Sequence, residues 1–129
     1  KDHPAARRGW DVESWLAAEH IAPTPTHPGE RGVIDAHLDG LGMQRSITAR
    51  CAHFSLIPSI VASSLLVLTT GRQYCERYVD QLPLVILPCP VAFPRLTYYQ
   101  LWHARTHHSA AAAWLRECVK TVAASLRKE

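Results

Sequence analysis

The chain has no long hydrophobic run. Nothing in its 129 residues approaches the roughly 18 consecutive apolar residues of a membrane-spanning helix, and its first residues are polar, without a signal-peptide pattern. A dense basic block is also missing. Fourteen Lys and Arg against 11 Asp and Glu leave a formal charge of +3, and eight histidines would add to it on acidification, yet the longest basic runs are Arg7-Arg8 and Arg127-Lys128. A surface that grips phosphates shows a denser stripe, so direct DNA binding by these residues is not expected. No C-x-x-C occurs, and no Cys/His pair has zinc-finger spacing. Cys51, Cys75, Cys89 and Cys118 lie far apart in apolar surroundings, which reads as reduced thiols of a cytoplasmic protein rather than a disulfide framework. H-E-x-x-H, G-x-S-x-G and phosphate-loop motifs are missing too. Cys51 and His53 would share one face of a strand with no third group to orient them, so Cys51 reads as structural. No enzyme and no cofactor are expected.

What remains is a globular composition, 47% apolar and 19% charged, sufficient for one domain with a core. The stretch Cys51–Gly71 organises it. Ser55 is expected to cap a short helix with Pro58 in its first turn, and Ile57, Ile60 and Val61 form its apolar face. Leu65-Leu66-Val67-Leu68 then runs apolar without alternation, as a strand covered on both faces does. Polar clusters, His53-Phe54-Ser55 and Thr69-Thr70-Gly71, follow the ends of adjacent strands, where open parallel sheets bind ligands.

Around this stretch, strands alternate with helices. Asp11 caps a helix carrying Val12, Trp15 and Leu16, and a strand over His20–Thr24 follows. Thr24-Pro-Thr-His-Pro-Gly-Glu-Arg-Gly32 reads as a loop. The next helix turns Val33, Ile34, Leu38 and Leu41 to a core and stops at Gly42. Ser46–Cys51 alternates as a half-exposed strand. Arg72–Gln81 is a helix pairing Tyr74 with Tyr78, and Leu84–Leu87 is a second fully apolar strand. Pro88, Pro90 and Pro94 make a stiff crossing. Leu96–His103 is the last strand. Ser109 caps the longest helix, whose stripe is Leu115, Val119, Val122 and Leu126, with Arg127-Lys128 at its C-terminal dipole. The class is α/β with a largely parallel sheet.

The order of His-Pro-Ala, Val-Ile-Asp-Ala-His-Leu-Asp-Gly-Leu-Gly, Arg-Cys-Ala-His-Phe-Ser-Leu-Ile-Pro-Ser-Ile-Val-Ala, Leu-Pro-Leu-Val, Tyr-Gln-Leu-Trp-His-Ala-Arg and Trp-Leu-Arg-Glu resembles the C-terminal part of LysR-type transcriptional regulators, in the branch of nodulation and aromatic-degradation regulators. The resemblance implies a type 2 periplasmic-binding-protein-like effector domain of two subdomains. On that template residues 1–94 are the second subdomain with its crossover, and residues 95–129 are a strand and helix that rejoin the first. The opening half of the first subdomain and the winged helix-turn-helix head would lie outside this sequence. The resemblance further implies a homodimer or tetramer, and DNA contact only through that head. Leu96–His103 and the following helix would then lack the strands they pack against. They are expected to bury against a partner chain or to be poorly ordered.

The same template lines an inter-subdomain cleft with Thr24, Thr26 and His27 at a helix N-terminus suited to an anion. It adds His53 and Phe54, Thr69, and Phe93 on the cleft floor. An ordinary solvated turn accounts equally for the first group. A strand-end His satisfied by backbone, with Phe54 in the core, is the alternative for the second. Helix capping alone accounts for Thr70. The ligand implied is a small metabolite, aromatic or carboxylated. A metal site is not expected: His103, His107 and His108 form the best cluster, but adjacent side chains diverge and no carboxylate supports them. The rival readings are an exported solute-binding protein of the same fold and, further off, a small hydrolase.

Overall fold

The computed structural model describes residues 3–4, 9–27 and 29–125. They divide into two units, Lys1–Phe93 and Pro94–Glu129.

In the first unit, helix α1 (Val12–Ala17) begins with a reciprocal capping box. The Ser14 N–H donates to Asp11 Oδ1 at 2.8 Å and the Asp11 N–H to Ser14 Oγ at 3.0 Å. Six residues present one large side chain inward, Trp15. The chain turns directly into strand β1 (Glu19–Pro23), whose centre, His20, Ile21 and Ala22, is wholly buried. Helix α2 (Val33–Gly40) ends as expected on Gly42, at φ +67. There the Gly42 N–H reaches the Asp39 carbonyl at 3.0 Å and the Met43 N–H that of Leu38 at 2.9 Å, a left-handed stop that a Cβ would strain. With little more than two turns, α2 buries only Leu38, with Ile34 half-covered. Val33 and Leu41, expected in the core, are exposed.

Strand β2 (Ser46–Cys51) pairs parallel with β1 and alternates exposed and half-buried residues as its sequence predicts. The register slips once. His20 faces Ile47 and Ile21 faces Ala49, so Thr48 is an extra residue in a β-bulge. A 3-10 turn (Phe54–Leu56) leads into α3 (Ile57–Ala62). Ser55 lies inside that turn and caps nothing; Pro58 does sit in the first turn of α3. Helix α4 (Arg72–Val79) completes the unit's regular elements. Trp15, Leu38 and Val91 form the buried cluster, with Trp10, Val12, Leu16, Ile34, Met43 and Phe93 packed on it.

The apolar runs behave differently from their expected strand character. Val67 makes a single parallel bridge to His20, with its N–H on the Glu19 carbonyl at 2.8 Å and its carbonyl accepting from Ile21 at 3.0 Å. Neither Leu65–Leu68 nor Leu84–Leu87 forms a strand, and Leu96–His103 forms none either. An extended run becomes a strand only when a neighbour supplies its hydrogen bonds, and among the described residues these runs have none beyond the Val67 bridge.

His20 is buried, and its environment is specific. Its Nε2–H donates to the Trp15 carbonyl at 2.7 Å, its ring meets Trp15 edge-on at 5.1 Å, and Nδ1 has no partner among the described residues. Burial pushes its pKa below the ordinary imidazole value; the nearby Arg45 lowers it further, while the Trp15 carbonyl and Asp35 act the other way. The neutral ring is therefore the folded form, and protonation favours the unfolded chain. Stability should be full above the unfolded-state pKa of about 6.5 and fall as the pH drops from there toward the depressed folded value. Urea titrations at pH 7.5 and at pH 5 should show this fall, and His20→Gln, which cannot take up the proton, should flatten it.

In the second unit the chain runs without regular structure to a 3-10 turn (Ala104–Thr106) and then helix α5 (Ala110–Ser125). The Ala112 N–H reaches Ser109 Oγ at 3.4 Å, in keeping with the expected cap. Arg116 fastens the preceding segment to the helix. Its guanidinium lies 4.7 Å from the centre of the Trp102 ring and donates to the carbonyls of His107 at 2.9 Å and Thr106 at 3.4 Å. The Leu115–Val119–Val122 stripe is exposed rather than buried, as is Trp114. Leu126, Arg127 and Lys128, expected to extend that stripe and its charge, lie outside the described residues.

A candidate ligand cleft at the strand ends

Three parallel segments end at one level. The last pair of the ladder joins Pro23 to Cys51, and the Thr24 N–H continues it to the Cys51 carbonyl at 3.0 Å. Arg50 braces the same edge, with Nη1 on the Pro23 carbonyl at 3.2 Å. The third segment is placed by the His20–Val67 bridge. Thr69 lies two residues beyond Val67, as Ala22 lies two beyond His20. The structure thus brings Thr24, His53 with Phe54, and Thr69 with Thr70 to neighbouring strand ends.

Within this arrangement Thr69 stands out, because its Oγ1 is buried and has no hydrogen-bond partner among the described residues. A hydroxyl left so costs about 1–3 kcal/mol. Thr70 does not cap α4: the cap position is Gly71, with no side-chain hydrogen bond, so the first turn of α4 keeps its positive dipole end beside the two threonines. Phe54 is held from the side by Tyr74, whose hydroxyl donates to the Phe54 carbonyl at 2.8 Å and whose ring lies 4.5 Å from that of Phe54. Tyr78 meets Tyr74 in turn with its ring tilted by 54° at 5.2 Å. Burial, the Tyr78 hydroxyl and neighbouring negative charge push the Tyr74 pKa up to about 12, so the phenol stays a donor. Tyr74 escaped sequence reasoning as a site residue, although its four-residue spacing from Tyr78 marked an aromatic stripe.

The loop after β1 is partly self-satisfied. The His27 N–H is held by Glu30 Oε2 at 3.1 Å, its Nδ1 lies 3.4 Å from the same oxygen, and the Glu30 N–H returns to the His27 carbonyl at 3.2 Å. A carboxylate of the chain thus already stands where an anion was expected at His27. Thr26 is exposed beside it. Phe93 is elsewhere: it packs 6.4 Å from Trp15 and 4.9 Å from His37, among residues adjoining the start of β1, whereas Thr24 follows its end.

No group of three or more His, Cys, Asp or Glu among the described residues is arranged to hold a metal. In the histidine cluster, His103 Nδ1 accepts from the Arg105 N–H at 3.0 Å and His107 Nδ1 from Trp102 Nε1 at 3.2 Å. Local structure therefore occupies both nitrogens. No helix among the described residues is long and apolar enough to cross a membrane.

The carboxyl ends of parallel strands, with polar side chains and an uncapped helix N-terminus beside them, are where open α/β sheets bind ligands. The chain belongs to the LysR substrate-binding domain family, whose description matches residues 1–124; its fold is the type 2 periplasmic-binding-protein-like one. A solved structure of a candidate transcriptional regulator from Vibrio parahaemolyticus is 26% identical, with a TM-score of 0.80 over 100% of this chain and 60% of that one. The present chain thus spans 60% of that regulator's length. A candidate regulator from Pseudomonas aeruginosa shares the fold at 24% identity and a TM-score of 0.64, over 72% of this chain and 31% of its own.

Proposed function

We propose that this chain is most of the effector-sensing half of a LysR-type regulator, with residues 1–94 as the second subdomain and its crossover and residues 95–129 as elements of the first. The observation that carries the reading is the run of three parallel segments side by side, one of which leads to Thr69, whose hydroxyl is buried and has no hydrogen-bond partner among the described residues. The effector is a small aromatic or carboxylated metabolite. Thr24, Thr26, His27, His53 and Thr69 supply polar contacts, Phe54 on its Tyr74 support supplies an aromatic wall, and the α4 dipole favours a carboxylate. Recognition, not bond making, is the activity. A ligand that binds one arrangement of the subdomains more tightly shifts the population toward it, and DNA is contacted by parts of the regulator outside this sequence. Cytoplasmic location and a dimeric or tetrameric state go with that role. The quoted segment order supports placement in the nodulation and aromatic-degradation branch.

Thermal-shift measurements on the intact regulator with benzoate, salicylate and related acids test the site. Thr69→Val and His53→Ala should each cut the ligand-induced rise in Tm by half or more while leaving the ligand-free Tm within a few degrees. An undiminished shift in both variants would remove these strand ends from the site.

A further inference from the structure

Glu30 stands in the place of a ligand. Gly29, at φ +80, takes a left-handed angle that suits glycine, and the chain there turns Glu30 back over His27. The Glu30 N–H donates to the His27 carbonyl at 3.2 Å. In return Glu30 Oε2 accepts from the His27 N–H at 3.1 Å, with the ring Nδ1 at 3.4 Å. The main-chain N–H and the ring of one residue thus converge on one carboxylate oxygen, the contact that a ligand's carboxylate would make there. The His27 and Glu30 side chains are 79% and 50% exposed, so the contact is weak enough to exchange.

A second feature gives the carboxylate somewhere else to go. Glu30 also lines a hollow of about 290 Å³, together with Arg31, Asp35, Asp39, Arg45 and Arg50. The other two carboxylates are taken, Asp39 by Arg31 at 2.9 Å and Asp35 by Arg45 at 2.7 Å. The cations are not. Arg50 has no carboxylate partner among the described residues and holds only the Pro23 carbonyl, at 3.2 Å. Arg45 Nη1 is buried and has no partner among them either. With Glu30 turned to His27, three guanidinium groups thus face two carboxylates.

We propose that Glu30 is an internal competitor for the effector's carboxylate: it holds His27 in the empty site and turns to Arg50 when the effector takes its place. The inference rests on the effector site proposed above and adds to it a residue that sets threshold and selectivity. Only the molecules whose His27 is free can bind, so the apparent affinity falls by that fraction. A ligand that offers a neutral oxygen cannot match the carboxylate it must displace, whereas an anionic one exchanges like for like.

Calorimetric titration of the intact regulator with benzoate, and NMR of the regulator labelled at histidine nitrogen, test this. Glu30, Asp39 and Arg50 are all exposed, so their variants should fold. Glu30→Gln should tighten benzoate about tenfold and move the response of the His27 amide to correspondingly lower benzoate. Asp39→Asn removes the same charge from the same hollow without touching His27, and should change the affinity less than about twofold. Arg50→Gln should weaken benzoate in the wild type and not in Glu30→Gln. Equal tightening by Glu30→Gln and Asp39→Asn would reveal a long-range charge effect and overturn the proposal. So would a His27 response that is the same with and without Glu30, or an Arg50→Gln loss that persists in Glu30→Gln. The His53 amide judges the cleft separately. A response at His27 without one at His53 overturns the cleft and keeps the competitor; the reverse keeps the cleft and overturns the competitor. Silence at both overturns both.

Discussion

Asp35→Ala should lower the unfolding free energy by about 3–5 kcal/mol, because it strands a buried guanidinium. Arg45 is 3% exposed in its side chain and Asp35 13%, and Arg45 Nε donates to Asp35 Oδ1 at 2.7 Å. Arg45 Nη1 already has no partner, and the Asp35 carboxylate is the one ion-pair partner of that group, both among the described residues. The comparison that separates pairing from packing is the double replacement Asp35→Leu with Arg45→Met. Swapping a buried pair for apolar side chains of similar volume is commonly neutral or stabilising, so the double variant should recover most of the loss. Urea unfolding at pH 7 measures both. A single substitution costing under 1 kcal/mol would mean that water reaches Arg45.

Trp15→Ala should cost a similar amount, about 3–5 kcal/mol, through a different mechanism. Trp15 is the largest side chain in the buried cluster, and it joins His20 of β1 to Phe93 within the proline-rich crossing. Removing the ring opens a cavity on both sides. Domains of this size hold about 5–15 kcal/mol in total, so the loss takes a large share of the margin. Trp15→Phe keeps part of the volume and should recover at least half. Since His20 bonds to the Trp15 main chain, its hydrogen bond survives either substitution, and the acid-dependent loss of stability should persist in Trp15→Phe.

Elements whose stability is local were legible in the sequence. Asp11 as a helix cap, the glycine stop at position 42 and the alternation of Ser46–Cys51 each carry their own geometry, and each is found where expected. Leu65–Leu68, Leu84–Leu87 and Leu96–His103 were read as strands from composition. Composition says that a run suits a sheet, not that a neighbour stands beside it, and among the described residues these runs lack hydrogen bonding from a second strand beyond the Val67 bridge. Burial on α2 was overestimated for a related reason: apolar residues at Val33 and Leu41 sit at the ends of a helix too short to cover them. For the cleft, the rule that ligands gather at the carboxyl ends of parallel strands pointed to Thr24, His53 and Thr69. It could not foresee that Glu30 folds back on His27 or that Phe93 turns to Trp15. Those outcomes depend on side-chain contacts between elements, to which spacing along one element is blind. His20, a strand residue by position, carried no mark of its burial either.

The slipped pair around Thr48 has a bearing on how this molecule tolerates length changes. Excision of that one residue would let the ladder run straight and leave every later pair as it is, because Ile21 already faces Ala49 and Pro23 already faces Cys51. Arg50 would keep the Pro23 carbonyl, and only the added local twist of the extra residue would go. A second excision in the same strand would find no spare residue to absorb it, and would draw His53 about 3.3 Å away from the rim it shares with Thr24. A gene product shortened once there should still hear its signal; one shortened twice could keep a sound interior and be deaf to it.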